Sequence, residues 1–150
     1  MADAAWHARI AGLRRVAFDT NALIYLFEGQ EPHADLVAAV LGRVEGGHAL
    51  GIVSTVVEME LLVRPLRQQD FAFVVGLDLF LRNERNWVLR DVDRAVARSA
   101  AAIRANTGMK TPDALIAATA ALEGCDAIIG NDRGFARHSE VPYLILDDYA

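Results

Sequence analysis

A single cysteine, Cys125, stands among 150 residues, so no disulfide can form within the chain and a reducing compartment is the expected setting. No apolar run approaches the roughly 20 residues of a membrane span, which leaves a membrane out of the expected partners. Residues 1–15 hold Trp6, His7, Arg9, Arg14 and Arg15 but not the sustained apolar core of a signal peptide, so a cytoplasmic protein is expected. His7, His33, His48 and His138 show no metal-ligand spacing, and neither a GxxxxGK phosphate loop nor a GxGxxG fingerprint occurs. Ser54 and Ser139 lack the context of a nucleophile elbow. Lysine is almost absent: Lys110 is the only one, and the other fourteen cations are arginine.

Arginine suits bidentate contact with phosphate and equally with the carboxylates of a partner protein. The balance of 15 Lys plus Arg against 20 Asp plus Glu, a net of -5, argues against indiscriminate binding to nucleic acid. It leaves a nucleic-acid substrate open, because carboxylates gathered at a metal site lower the total while the cations they hold reverse the local charge. With 53 % hydrophobic and 23 % charged residues the composition is globular. The expected organisation is one domain over 1–150, burying roughly 70 % of its unfolded surface. Within it, 1–15 is a weakly patterned leader, expected to be a frayed or partner-dependent arm.

Val16-Ala17-Phe18 reads as a short buried strand ending at Asp19. Thr20 and Asn21 suit a turn or cap, and Ala22, Leu23, Leu26 and Phe27 recur at the spacing of a helix with one buried face. Asp19 therefore stands at the carboxyl end of a strand, where ligands bind in open α/β sheets; it can equally serve only as a helix cap. Further along, the pattern predicts a helix over His33–Val44, a strand over Ala49–Val53, and a helix capped by Ser54 or Thr55 that runs to Arg64-Pro65. A largely apolar helix is expected over Gln68–Leu81 and a strand at Trp87-Val88-Leu89. The next helix starts at Asp91 or Asp93 and ends near Gly108; another follows with Thr111 as cap and Pro112 at its first position. Strands over Asp126–Gly130 and, after a loop, Val141–Leu146 close the chain. Strands alternating with helices imply a mainly parallel sheet covered on both faces, a three-layer α/β/α sandwich.

Asp132 follows its strand as Asp19 follows the first, so the two carboxylates can converge. Asp113 lies in the first turn of a helix, where a negative side chain also favours the macrodipole. Glu58 and Glu60 are about 200° apart around a helix, so at most one faces a shared site, and their spacing does not choose between them. An all-carboxylate set suits Mg²⁺ or Mn²⁺ and not zinc. Such ions activate water and stabilise a phosphoryl group in transit.

The segments Phe18-Asp19-Thr20-Asn21-Ala22-Leu23-Ile24, Ser54-Thr55-Val56-Val57-Glu58-Met59-Glu60-Leu61-Leu62, Thr111-Pro112-Asp113-Ala114-Leu115 and Asn131-Asp132-Arg133-Gly134-Phe135 resemble the successive motifs of the PIN domain. The compact form is similar to the VapC-like toxins of toxin-antitoxin pairs. The resemblance implies a Mg²⁺- or Mn²⁺-dependent endoribonuclease with Asp19, Glu60, Asp113 and Asp132 as catalytic metal ligands, and Glu60 is chosen over Glu58 because the motif glutamate precedes the Leu-Leu pair. Thr20, Asn21, Ser54 and Asn131 match the polar residues expected beside the metal. An RNA substrate, a small antitoxin that inserts a segment into the acidic groove, and a homodimer are the implied partners. Arg64, Arg67, Lys110 and Arg133 lie near the motifs and are candidates for RNA contact. Two other readings stand beside it. A phosphatase of the haloacid dehalogenase type needs a second Asp where Asn21 stands, and a PIN-like module that binds RNA or a partner without cutting would not need all four carboxylates.

Overall fold

The structure, a computed structural model, describes residues 2–82 and 85–150. Five strands form one sheet in the order β3-β2-β1-β4-β5, every pair parallel. They are β1 (Arg15–Phe18), β2 (Leu50–Ser54), β3 (Trp87–Arg90), β4 (Ala127–Gly130) and β5 (Tyr143–Ile145). Among the described residues, eight α-helices cover the sheet as the three-layer sandwich expected: α1 (Ala4–Ile10), α2 (Thr20–Glu28), α3 (His33–Glu45), α4 (Thr55–Arg67), α5 (Phe71–Leu81), α6 (Arg94–Thr107), α7 (Thr111–Leu122) and α8 (Arg133–His138).

The middle of the sheet follows from its residues. Val16, Ala17 and Phe18 of β1, and all four residues of β4, are buried, because strands covered on both faces have no polar side to alternate with. Gly51 in β2 lets a neighbour approach: a Cβ there would stand 3.0 Å from the Trp87 ring of β3. That ring lies 5.5 Å from Phe18 and 5.1 Å from Phe80, and Phe80 meets Phe27 edge-on at 5.2 Å. The aromatic chain fastens α2 and α5 to the sheet, with each pair adding specificity to the area buried.

The leader is not a frayed arm; of the stretch 1–15, residue 1 lies outside the described residues. Asp3 caps α1 by accepting from the Trp6 N–H, and Trp6, Ile10 and Leu13 enter the core. Trp6 is fully buried, its Nε1 donates to the Leu36 carbonyl at 2.8 Å, and its ring packs 4.8 Å from Tyr149. Residues spaced four and three apart supply an apolar face, but about two turns of helix carry too weak a period to announce themselves in the sequence.

Other boundaries move as well. The α4 helix continues through Pro65 to Arg67, where Gln69 takes a positive φ of 53° and breaks the path. Helix α5 therefore begins at Phe71, with the Asp70 carboxylate accepting from the Phe73 N–H. Asp93, not Asp91, caps α6. Thr111 is not the cap of α7: Lys110 occupies that position without a side-chain bond, and Thr111 and Pro112 are already helical. Residues 133–138, expected as loop, form α8 because Asp132 caps them. The last strand is shorter than expected and gives way to a 3-10 turn over Leu146–Asp148.

Candidate active site

The sheet order decides where side chains can converge. From β1 the chain moves outward to β2 and β3, then returns to lay β4 on the other side of β1. The carboxyl ends of β1 and β4 thus flank the crevice where helices leave in opposite directions, the usual ligand position in such sheets. Asp19 follows β1, and its N–H donates to the Ile129 carbonyl of β4 at 2.9 Å. Asp132 follows β4 two residues after Gly130.

Both acids cap helices. Asp19 Oδ1 accepts from the Thr20 N–H at 2.8 Å, and Asp132 Oδ1 accepts from the Phe135 N–H at 3.0 Å. Capping leaves Asp19 Oδ2 for another partner, and it accepts from the Tyr143 hydroxyl at 2.6 Å. The cap reading and the site reading are therefore compatible in this fold.

Asp19 is only 6 % exposed. Burial pushes its pKa up from the usual 3.8 to about 6; the bonds from Tyr143 and Thr20 pull it down, and Asp113 and Asp132 push it up again. The Asp113 carboxyl, in the first turn of α7, is also raised, by burial first and then by Asp132 and Glu60, against the opposing charge of Lys110. Four acids from α4, α7 and the ends of β1 and β4 thus sense one another. Glu60 is tied to this group by Thr20, whose Oγ1 donates to Glu60 Oε1 at 2.6 Å. Glu58 points elsewhere: its carboxyl is raised by burial and by Asp78 and Asp91, and it lines a cleft with Leu62 and the α5 residues Val74 and Leu77.

The polar residues expected beside the acids have individual places. Thr20 bridges Asp19 and Glu60. Ser54 is buried, and its Oγ accepts from the Val56 N–H as the cap of α4. Asn131 spans two elements, donating to the Tyr25 hydroxyl at 3.2 Å and accepting from the Asp147 N–H at 2.9 Å. Asn21 has its Oδ1 buried without a hydrogen-bond partner among the described residues. Of the arginines near the motifs, Arg64 pairs with Glu28 and Arg133 with Asp148, each at 2.7 Å. No local pattern in the sequence points to Tyr143 or Tyr25. Nothing marks a tyrosine as a neighbour of Asp19 when 124 residues separate them.

The donor set is entirely oxygen and carries several negative charges in one place, which fits a hard divalent cation. Among the described residues, no three His, Cys, Asp or Glu side chains close to the spacing of a complete metal shell.

Known structures share this architecture. A toxin-antitoxin complex from Klebsiella pneumoniae superposes with a TM-score of 0.63 at 24 % identity, covering 87 % of this chain and 97 % of that one. The VapBC2 assembly of Rickettsia felis, bound to a DNA fragment from its promoter, gives 0.68 at 16 % identity, covering 87 % and 98 %. FitAcB from Neisseria gonorrhoeae gives 0.63 at 19 % identity, covering 87 % and 97 %. At these identities the likeness speaks for the fold alone. No curated protein sequence matches this one. The family description that does match, over residues 16–141, runs from Val16 of β1 through α8 and holds all four acids just described, and by that match the chain belongs to the PIN domain family.

Proposed function

We propose that the chain is a metal-dependent endoribonuclease that hydrolyses RNA phosphodiester bonds, and that it is the toxin of a toxin-antitoxin pair. The observation that carries this reading is the placement of Asp19 and Asp132 at the carboxyl ends of the adjacent strands β1 and β4, with Asp113 in the first turn of α7 beside them and Glu60 of α4 tied to Asp19 through Thr20. Hydrolases of the family are nucleases in general, and an acidic oxygen cluster is the equipment for that chemistry.

Asp19, Asp113 and Asp132 would hold Mg²⁺ or Mn²⁺, with Glu60 as a direct or water-bridged ligand. When bound, the ion supplies an activated water and neutralises charge on the phosphate. The chain's own work is positional. Thr20 fixes Glu60 relative to Asp19, and the Thr20 N–H and the Tyr143 hydroxyl each hold one oxygen of Asp19, which keeps its lone pairs aimed in one direction.

The partner expectations rest on resemblance together with surface character. One solved neighbour is a toxin-antitoxin complex, and the VapBC2 and FitAB structures are each bound to a DNA fragment. Here a cleft of about 430 Å³ between α2, α4 and α5 is lined by Ile24, Phe27, Leu61, Pro65 and Phe73 and has Glu60 in its wall. An apolar antitoxin segment carrying a cation suits such a cleft. Exposed Met59, Val63 and Leu66 on α4 and Phe71, Val75 and Leu79 on α5 are apolar surface of the kind a homodimer covers.

The test is cleavage of a mixed panel of structured RNAs by the isolated chain, freed of co-purifying partner, in Mn²⁺, in Mg²⁺ and in EDTA, beside Asp19→Asn. Metal-dependent cuts at discrete sites, absent in the variant, are the expected result. Cutting that survives EDTA and the substitution overturns the reading.

A further inference from the structure

We propose that Tyr143 is a positioning residue of the acidic site and that Gly130 exists in this chain to let its hydroxyl through. The proposal rests on the reading of Asp19 as a cation ligand and adds to it a pair of residues outside the acidic motifs.

The geometry is unusual for the sheet. Tyr143 belongs to the edge strand β5, Asp19 follows β1, and β4 lies between them. To reach Asp19 the tyrosine must cross over the end of β4, and the residue it crosses is Gly130. A Cβ at that position would stand 2.0 Å from the Tyr143 hydroxyl oxygen, 2.7 Å from its Cζ and 2.8 Å from Asp19 Cβ. All three distances are shorter than a side chain can tolerate, and one of the atoms belongs to Asp19 itself, next to its backbone. The space is therefore reserved for the tyrosine.

The ring is held from below by Phe135, a buried residue of α8 whose centroid lies 4.8 Å away. The hydroxyl has two partners, and their chemistry fixes the direction of its proton. The Asp132 N–H, at 3.1 Å, can only donate, so the tyrosine oxygen accepts there. Its own hydrogen then goes to Asp19 Oδ2 at 2.6 Å. One hydroxyl thus spans the segments that follow β1 and β4 and sets the spacing between two of the four acids. With Thr20 N–H on Oδ1, the Asp19 carboxylate is pinned at both oxygens, and each oxygen keeps a lone pair for a cation. Groups that orient a ligand in this way change metal affinity by roughly 10-fold to 100-fold when removed.

The experiment titrates Mn²⁺ into the full chain by calorimetry and compares wild type with Tyr143→Phe, Gly130→Ala, the double variant and Asp19→Asn, with thermal melts of each in EDTA. Tyr143→Phe keeps the ring on Phe135 and removes only the oxygen. The expected result is an affinity loss of about 10-fold or more in Tyr143→Phe, with a melt in EDTA lowered only by the loss of the hydroxyl's two hydrogen bonds. Gly130→Ala should lose affinity likewise, and the double variant should lose no more than the worse single one, because both remove the same bond. Full Mn²⁺ affinity in Tyr143→Phe, with wild-type binding that depends on Asp19, overturns the positioning role and leaves the reading of the acids standing. A lowered melt with unchanged affinity does the same, since it assigns the tyrosine to packing. Wild type that binds no Mn²⁺, or binds it as well as Asp19→Asn, overturns the reading of the site and this inference with it.

Discussion

Thr20 Oγ1 donates to Glu60 Oε1 over 2.6 Å, joining the first turn of α2 to α4. The same residue gives its N–H to Asp19 Oδ1, so one threonine orients two acids from elements far apart in the chain. A β-branched side chain suits the task, because few rotamers are open to it and little freedom is lost when the bond forms.

Thr20→Val keeps that shape and deletes the donor. The expected outcome is a fall in Mn²⁺ affinity of about 10-fold and a stability change near 1 kcal/mol, the net worth of one hydrogen bond. Calorimetric titration beside a urea melt separates the two. A stability loss of several kcal/mol with normal affinity would assign Thr20 to the fold and not to the site.

Glu58 and Glu60 make a paired prediction. Glu60 meets Thr20, while Glu58 stands with Asp78 and Asp91 on the side of α5. Glu60→Gln should lower Mn²⁺ affinity and RNA cleavage by about 10-fold or more, and Glu58→Gln should change neither. Equal losses in both variants would show that α4 turns differently in the working protein.

What the sequence disclosed and withheld has physical reasons. Asp19 and Asp132 were legible because a buried parallel strand followed by an acid is a local pattern, complete within a few residues. The choice between Glu58 and Glu60 could not come from periodicity, which only says they oppose each other; a bond from a residue 40 positions away decides which one joins Asp19. Tyr143 was hidden for the same reason: its relevance lies in crossing a neighbouring strand at a glycine. The short α1 escaped because its burial depends on Leu36 and Tyr149, contacts that no local window contains. Helix α8 is hidden because six residues are too few for a helical period to show, and the Asp132 cap that starts it is equally the pattern of an acid after a strand.

The buried leader gives a stability prediction. Trp6→Ala removes a fully buried indole and strands the Leu36 carbonyl that its Nε1 serves. Truncations of this size cost about 3–5 kcal/mol, a large part of what a domain of this length has. A denaturant melt of the variant should show the loss as a lower midpoint. A frayed arm would leave the midpoint within about 0.5 kcal/mol of wild type, the usual range for surface substitutions.

The last prediction concerns pH in the metal-free protein. Asp19 has a pKa of about 6 when folded, chiefly through burial, against 3.8 when exposed. Between those values the folded state holds the proton more tightly than the unfolded chain, so this group favours folding in acid and stops doing so as pH rises through about 4 to 6. Above pH 6 its ionised form is a net burden on the order of 3 kcal/mol, from roughly two pH units at 1.36 kcal/mol each. Asp19→Asn removes the charge and keeps a side-chain oxygen that can cap α2. In EDTA the variant should therefore be more stable than wild type at pH 7 by up to that amount, and the difference should shrink toward zero below pH 4. Addition of Mn²⁺ at pH 7 should raise the wild-type melting temperature and leave the variant nearly unmoved, because a ligand stabilises only the fold that binds it. Thermal melts at pH 4, 5, 6 and 7 with and without metal read out both trends. A variant less stable than wild type at pH 7 in EDTA would mean that Asp19 serves the fold through its charge, and that the acids around it are no hardship to it.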